Sequence, residues 1–169
     1  MVGKTLAVIP RLFHFTDRRN LELIKKLGGV YPLSELTSKG VEIPAPGGNQ
    51  WSRDADDLKG MGKFVHLCFR SSHPMAFAAQ QDGRLGDVTY LEIHPSALNY
   101  PGVMFTPDVA NKAGVEAIPI TDAVELIDYE VLYTQTDWSD PEIQQRLQQA
   151  EKCEVLVPCA IPLSLIRNI

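Results

Sequence analysis

The chain has 169 residues, 44% of them hydrophobic and 22% charged, and carries a formal net charge of −5. That is one domain's worth of ordinary globular composition, with length enough for a sizeable core, and no apolar run approaches the ~18 residues that a membrane span needs. The three cysteines, Cys68, Cys153 and Cys159, are odd in number and form no Cys-x-x-Cys pair; this argues against a disulfide framework and a structural zinc site and suits a reducing cytoplasm.

The short apolar patch near the N-terminus is broken by Pro10 and Arg11, so no secretory signal is expected. Val8 to Phe15 reads as a strand, apolar and aromatic with few breakers. Thr16 or Asp17 can cap a following helix in which Leu21, Ile24 and Leu27 recur at helical spacing, and Gly28-Gly29 supplies the stop. Residues 30–62 are rich in Gly, Pro and Ser and read as one long loop, a length more often tied to function than to filler.

Phe64 to Phe69 reads as a buried strand, and Pro74 to Gln81 as a helix with proline in its first turn. Asp87 to His94 alternates as a strand does, and 95–119 reads as irregular. Leu126 to Tyr133 fits helix or strand equally. Ser139 or Asp140 then caps a helix with Pro141 at its first position and Glu151-Lys152 at its end. Cys153 to Val157 follows as a strand, and Pro162 to Ile169 closes the chain. The expectation is an α+β domain of about six short strands and three or four helices.

Among the acidic residues Glu154 stands out, in the apolar run Cys153 to Val157 directly after a helix. Strand alternation puts Glu154 and Leu156 on one face and Cys153, Val155 and Val157 on the other. Two readings follow: an edge strand whose glutamate faces water, or a carboxylate held rigidly beside a cleft. Glu151, at the helix end, reads as a solvated surface charge. His14 stands between two phenylalanines and reads either as a packed histidine with one bonded nitrogen or as a site residue. Arg53 reads as a surface residue paired with Asp54 or Asp57. His66 and Cys68 share a strand face, which leaves a Cys–His nucleophile pair open although no third orienting group is evident. Gly28-Gly29 is no phosphate loop, and the His, Cys and carboxylate spacings suggest no metal site. The acidic total weighs against nucleic-acid binding, yet Arg18-Arg19, Lys25-Lys26, Arg53, Lys59, Lys63 and Arg70 leave room for a local basic groove.

These pieces fall in an order that resembles one family. Leu12 to Ile24, with His14, Thr16, Asn20 and Leu21 and ending in Gly28-Gly29, is similar to the opening segment of DarT-type ADP-ribosyltransferases. The stretch Gln50 to Arg53 sits where that family carries a reactive arginine. Phe64 to Phe69 with Ser72-His73-Pro74-Met75 resembles its strand and Ser-Pro-Met turn, and Phe105-Thr106-Pro107-Asp108 its Phe-Thr-Asp segment. Asp137-Trp138 together with Glu154 to Val157 resembles its terminal block. The Gln144-Gln145-Arg146 stretch and Pro107-Asp108-Val109 depart from the family pattern near the acceptor side.

The resemblance implies a single ADP-ribosyltransferase domain over 1–169, α+β in class, with two small sheets around an NAD cleft and peripheral helices. It implies NAD as co-substrate and no metal. His14 and Thr16 would position the ribose and nicotinamide end, Asn20 would help to hold the dinucleotide, and Phe69 and Met75 would line the nicotinamide pocket. Glu154 would stabilise the charge that develops on the ribose. Arg53 would act on the attacking base, and Trp51 would offer a stacking surface to nucleic acid. The implied activity is transfer of ADP-ribose to a nucleobase, thymine or guanine in single-stranded DNA, with RNA as the next acceptor, by a cytoplasmic toxin whose partner is an antitoxin of ADP-ribosylhydrolase or macrodomain type. Two other readings stay open: a protein-directed transferase or NAD glycohydrolase, and a non-catalytic NAD or ADP-ribose binding module.

Overall fold

A computed structural model describes residues 6–46, 60–134 and 137–169. The first strand, β1 (Leu12–Asp17), starts later than its apolar pattern suggested, because Leu6–Val8 is a 3-10 turn and Pro10 has no N–H to give to a ladder. Asp17 closes β1 by accepting from the Arg19 backbone N–H at 2.8 Å, which caps the 3-10 turn Arg18–Asn20. The helix α1 (Leu21–Leu27) follows and stops at Gly28, whose φ of 83° is the left-handed conformation that favours glycine. Gly29 opens β2 (Gly29–Val30), and its Cα lies so close to the Ile161 carbonyl that a Cβ would stand 2.2 Å from that oxygen.

The helix α2 (Leu33–Ser38) falls where composition suggested loop; it has only Leu36 buried, too little apolar periodicity to announce itself. Then come β3 (Val65–Cys68), α3 (Pro74–Gln81), β4 (Val88–Ile93), β5 (Met104–Thr106) and β6 (Ile118–Pro119). The ambiguous stretch before Tyr133 resolves as α4 (Tyr129–Tyr133), anchored to α5 (Pro141–Lys152) by Arg146, which donates to Asp128 at 2.9 and 2.8 Å and to Glu130 at 2.9 Å. Asp140 caps α5 through the Glu142 N–H, with Pro141 at the first position. The chain closes through β7 (Glu154–Val157) and β8 (Ile161–Pro162). The described residues thus hold eight strands; those beyond the expected six are pieces of two or three residues, too short for a period-2 pattern to show.

Six strands form one antiparallel sheet in the order β4-β1-β3-β7-β5-β6, and β2 pairs β8 in a second. The large sheet is hinged. β1 meets β4 at six register positions and β3 meets β7 at four, but β1 meets β3 only where Phe13 faces Cys68. The two halves part beyond that point. Val155 and Val157 of β7 join Val65, Leu67 and Phe105 in the main core, while Leu156 packs on the opposite face with Met61, Phe64 and Ala110. Both faces of β7 are therefore covered, and its alternation reads correctly from sequence although it is no edge strand.

Asp17 ties the open end of β1 in place. Its carboxylate is fully buried and accepts from the Arg19 guanidinium at 2.9 Å, the Gly86 N–H at 2.8 Å and the Asp87 N–H at 3.2 Å. The Arg19 hydrogen bond, against the opposing effect of burial, holds the carboxyl well below the ordinary range. A depressed carboxyl adds stability that is complete above its unfolded pKa, near ~3.9, and is lost as pH falls through the folded value. Asp17→Asn should therefore be less stable than the parent at pH 7, and the gap between their urea midpoints should narrow below about pH 4. A gap that stays constant into acid would contradict this role.

Candidate active site

The parted halves of the sheet enclose a pocket. His14, Phe15 and Thr16 of β1 line one side, Val65 and His66 of β3 and Glu154 of β7 another, and α1, α2 and 43–46 close it. Met75, at the start of α3, also reaches it. So His14, Thr16, Asn20, Met75 and Glu154, separated by up to 140 positions in sequence, come together around one cavity.

Glu154 is 6% exposed, which rules out the water-facing edge strand. Its Oε1 faces His66 Nδ1 at 3.2 Å, and its Oε2 accepts from the Ala110 backbone N–H. Burial alone would push this carboxyl up; the hydrogen bond and charge of His66, with help from His73 and the Ala110 N–H, outweigh it and leave the group below its ordinary value. A buried but ionised carboxylate at the wall of a cavity can meet a developing positive charge with no reorganisation.

His14 donates from Nδ1 to the His66 carbonyl at 2.9 Å, which fixes its tautomer and leaves Nε2 as an acceptor. Burial, the strongest influence, holds its pKa below the usual range, so the ring is neutral at pH 7. One nitrogen of His14 is packed and bonded, and the residue also lines the pocket.

Asn20 is spent on the scaffold. Its Nδ2 donates to Thr16 Oγ1 at 3.0 Å and to the Ala45 carbonyl at 2.8 Å, while its Oδ1 accepts from the Ala45 N–H at 2.8 Å. The side chain clamps the 43–46 segment to the end of β1, so any help it gives a bound dinucleotide runs through that clamp. Phe69, expected at the nicotinamide end, stands apart from these side chains. It lies past the end of β3 on the core side, 2% exposed, with its ring 6.3 Å from Phe105, and does not line the pocket. Its alternation with Leu67 rather than with His66 sends it inward. Trp51 and Arg53 lie outside the described residues.

Three residues had no place in the sequence-level site. For His66 the sequence left only a pairing with Cys68 open, whereas the antiparallel pairing of β3 with β7 puts the Glu154–Leu156 face beside the His66–Cys68 face. His73 caps α3 by accepting from the Met75 N–H at 3.2 Å and stacks on Phe15 at 5.6 Å, backing the pocket wall. Ala110 contributes only its N–H, which no side-chain pattern signals. Glu151 is half-buried rather than solvated; burial raises its carboxyl, opposed by Arg70 at 3.6 Å. Several basic residues proposed for a groove are ion-paired, Arg18 with Asp87 at 3.0 Å and Lys25 with Glu22 at 3.3 Å; such exposed pairs are worth little and exchange readily for a phosphate. Among the described residues no cluster of three or more His, Cys, Asp or Glu could hold a metal ion.

A family model described as "DarT: ssDNA thymidine ADP-ribosyltransferase, DarT" matches residues 13–169. Among solved structures, Thermus sp. 2.9 DarT in complex with ADP-ribosylated ssDNA matches with a TM-score of 0.70 at 16% identity, over 94% of this chain and 79% of that one. Thermus sp. 2.9 DarT in complex with NAD+ matches with a TM-score of 0.61 at 20% identity, over 95% and 80%. Thermosipho africanus DarTG in complex with ADP-ribose matches with a TM-score of 0.65 at 13% identity, over 93% of this chain and 42% of that one. At such identities these likenesses establish the fold, α+β and ADP-ribosyltransferase-like. No curated protein matches the chain.

The site offers no thiol nucleophile. The Cys68 thiol is buried, donates towards the carbonyls of Phe13 and Arg70, and is pushed far up by burial and by the charge of Glu154. A Cys–His pair of this kind carries no thiolate at neutral pH. Iodoacetamide on the native protein at pH 8 should label the half-buried Cys159 first and leave Cys68 unmodified, as read by peptide mass spectrometry. Early modification of Cys68 would restore the nucleophile reading.

Proposed function

The chain belongs to the DarT family of ssDNA thymidine ADP-ribosyltransferases, and we propose that it transfers ADP-ribose from NAD to a thymine of single-stranded DNA in the pocket walled by Glu154. The observation that carries the reading is the buried carboxylate of Glu154, held between the His66 ring and the Ala110 N–H at a cavity shared with His14 and Thr16.

The cavity suits a dinucleotide. Leu23, Leu27, Tyr31, Leu33 and Ile43 give its lining apolar surface that fits the face of a heteroaromatic ring, and Thr16, His14 and Glu154 give it polar groups. We read His14 and Thr16 as contacts for the ribose and nicotinamide end and Met75 as an apolar wall against nicotinamide. When the bond between nicotinamide and ribose breaks, nicotinamide leaves with the electron pair and positive charge grows on the ribose ring. Glu154, accepting from the ribose 2′-hydroxyl, stabilises that charge from a fixed position. A ring nitrogen of the base then bonds to the anomeric carbon and releases its proton to water. Arg53, being protonated, would stabilise the deprotonated base, with Trp51 stacking on the strand. A single-stranded acceptor leaves the reacting edge of the base open.

Residues 1–169 make up one ADP-ribosyltransferase domain in this reading. The likeness to the DarTG chain supports a toxin within a toxin–antitoxin pair, the partner being an antitoxin of ADP-ribosylhydrolase or macrodomain type. The setting is the cytoplasm, where NAD and DNA meet; among the described residues no helix is long and apolar enough to cross a membrane.

Labelled NAD should transfer its ADP-ribose to thymine-containing single-stranded DNA, and Glu154→Gln should lower the rate on the order of 100- to 1000-fold, measured below a melting temperature that falls because the buried His66 pair is broken. Label found only on protein or RNA, or only as free ADP-ribose, would overturn the acceptor. Full activity in Glu154→Gln would overturn the site.

A further inference from the structure

Both ring nitrogens of His66 face acceptors. Nε2 lies 2.9 Å from the Met61 carbonyl, which can only accept, so Nε2 carries a proton. Nδ1 lies 3.2 Å from Glu154 Oε1, and that contact needs a proton as well. The Glu154 carboxyl already accepts at its other oxygen from the Ala110 N–H, which favours the ionised form. The second proton therefore belongs on the ring.

We propose that His66 acts as a positioning residue for the reaction assigned above: a resident imidazolium, locked by the Met61 carbonyl, that keeps Glu154 ionised in its buried setting and fixes the plane of its carboxylate. This rests on that reading of Glu154 as the group facing the ribose. Without a cation in contact, a carboxyl this deeply buried takes up a proton and can no longer accept from a 2′-hydroxyl.

Among the described residues, the other titratable groups around the pair do not bring a positive charge into contact with Glu154. His14 on β1 and His73 at the start of α3 are held below the ordinary histidine range by burial. Cys68 on β3, opposite Glu154 in register, is held protonated, and Cys153 before β7 is pushed up to about 12 by burial. Asp108 after β5 and Glu151 at the end of α5 are themselves acidic. Among these groups His66 alone combines direct contact with positive charge.

The consequence is an activity with two limits. On the acid side Glu154 is protonated. On the alkaline side His66 loses its Nδ1 proton, and a lone pair then faces the carboxylate. His66→Gln keeps an N–H donor but does not titrate, whereas His66→Phe removes donor and charge.

The experiment measures kcat/KM for NAD cleavage without DNA, from pH 5 to 10, for the parent and both variants, with melting temperatures recorded. The parent should give a bell; His66→Gln should lose the alkaline limb; His66→Phe should move the acid limb upward by about one pH unit or more. An alkaline limb that persists in His66→Gln, or an acid limb unmoved in His66→Phe, overturns the proposal. Because the variants can fold poorly, 15N NMR of the parent's His66 ring supplies the second reading: both nitrogens protonated at pH 7 support the proposal, and a neutral ring overturns it. A parent that neither cleaves NAD nor transfers ADP-ribose to thymine-containing single-stranded DNA at any pH refutes the assigned activity instead, and the NMR result still judges the His66–Glu154 pair.

Discussion

Placing an ionised carboxylate inside a sheet costs several kcal/mol in lost hydration unless its oxygens find partners. Glu154 finds them on both flanks. His66 comes from β3 on one side and the Ala110 N–H from the segment after β5 on the other. The order β3-β7-β5 is therefore more than a packing solution, because an edge position would deny Glu154 one of its two partners. Val155 and Val157, alternating with the glutamate, anchor the same strand in the main core. One short strand thus joins the main core to the buried carboxylate at the pocket wall.

The pocket arises from the weak seam between β1 and β3. Six register positions hold β1 to β4, while a single one holds it to β3, so the sheet opens where His14 reaches across to the His66 carbonyl. The polar groups that stabilise the opening are satisfied internally: Asp17 binds the backbone before β4, and Asn20 binds both the N–H and the carbonyl of Ala45. Because Asn20 has no donor left over, the shape of the cleft rather than its own amide is what it offers a ligand.

Much of this was legible in the sequence where local chemistry sets the structure. Gly28 had to end α1, Pro141 and Asp140 had to begin α5, and the alternation around Glu154 was read with the correct faces. The position of β7 was not legible, since whether a strand lies at an edge or in the centre depends on pairing between residues far apart in sequence. For the same reason the sequence left open a pairing of His66 with Cys68, its neighbour along the strand, and gave no sign of Glu154, its neighbour across the ladder. Ala110 acts through its backbone and gives no side-chain signal. Phe69 fits an apolar pocket as well as a core on composition alone, and only its parity with Leu67 decides for the core. The helix α2 was hidden by Gly, Pro and Ser around it and by the burial of a single leucine.

The most direct measurement is a crystal structure with an NAD analogue that resists cleavage. The account predicts the ribose 2′-hydroxyl within hydrogen-bond reach of Glu154, the nicotinamide near Met75, and the adenine against the apolar surface of Leu23, Leu27 and Tyr31. An analogue bound elsewhere, or bound in this pocket with its nicotinamide ribose turned away from Glu154, would contradict it.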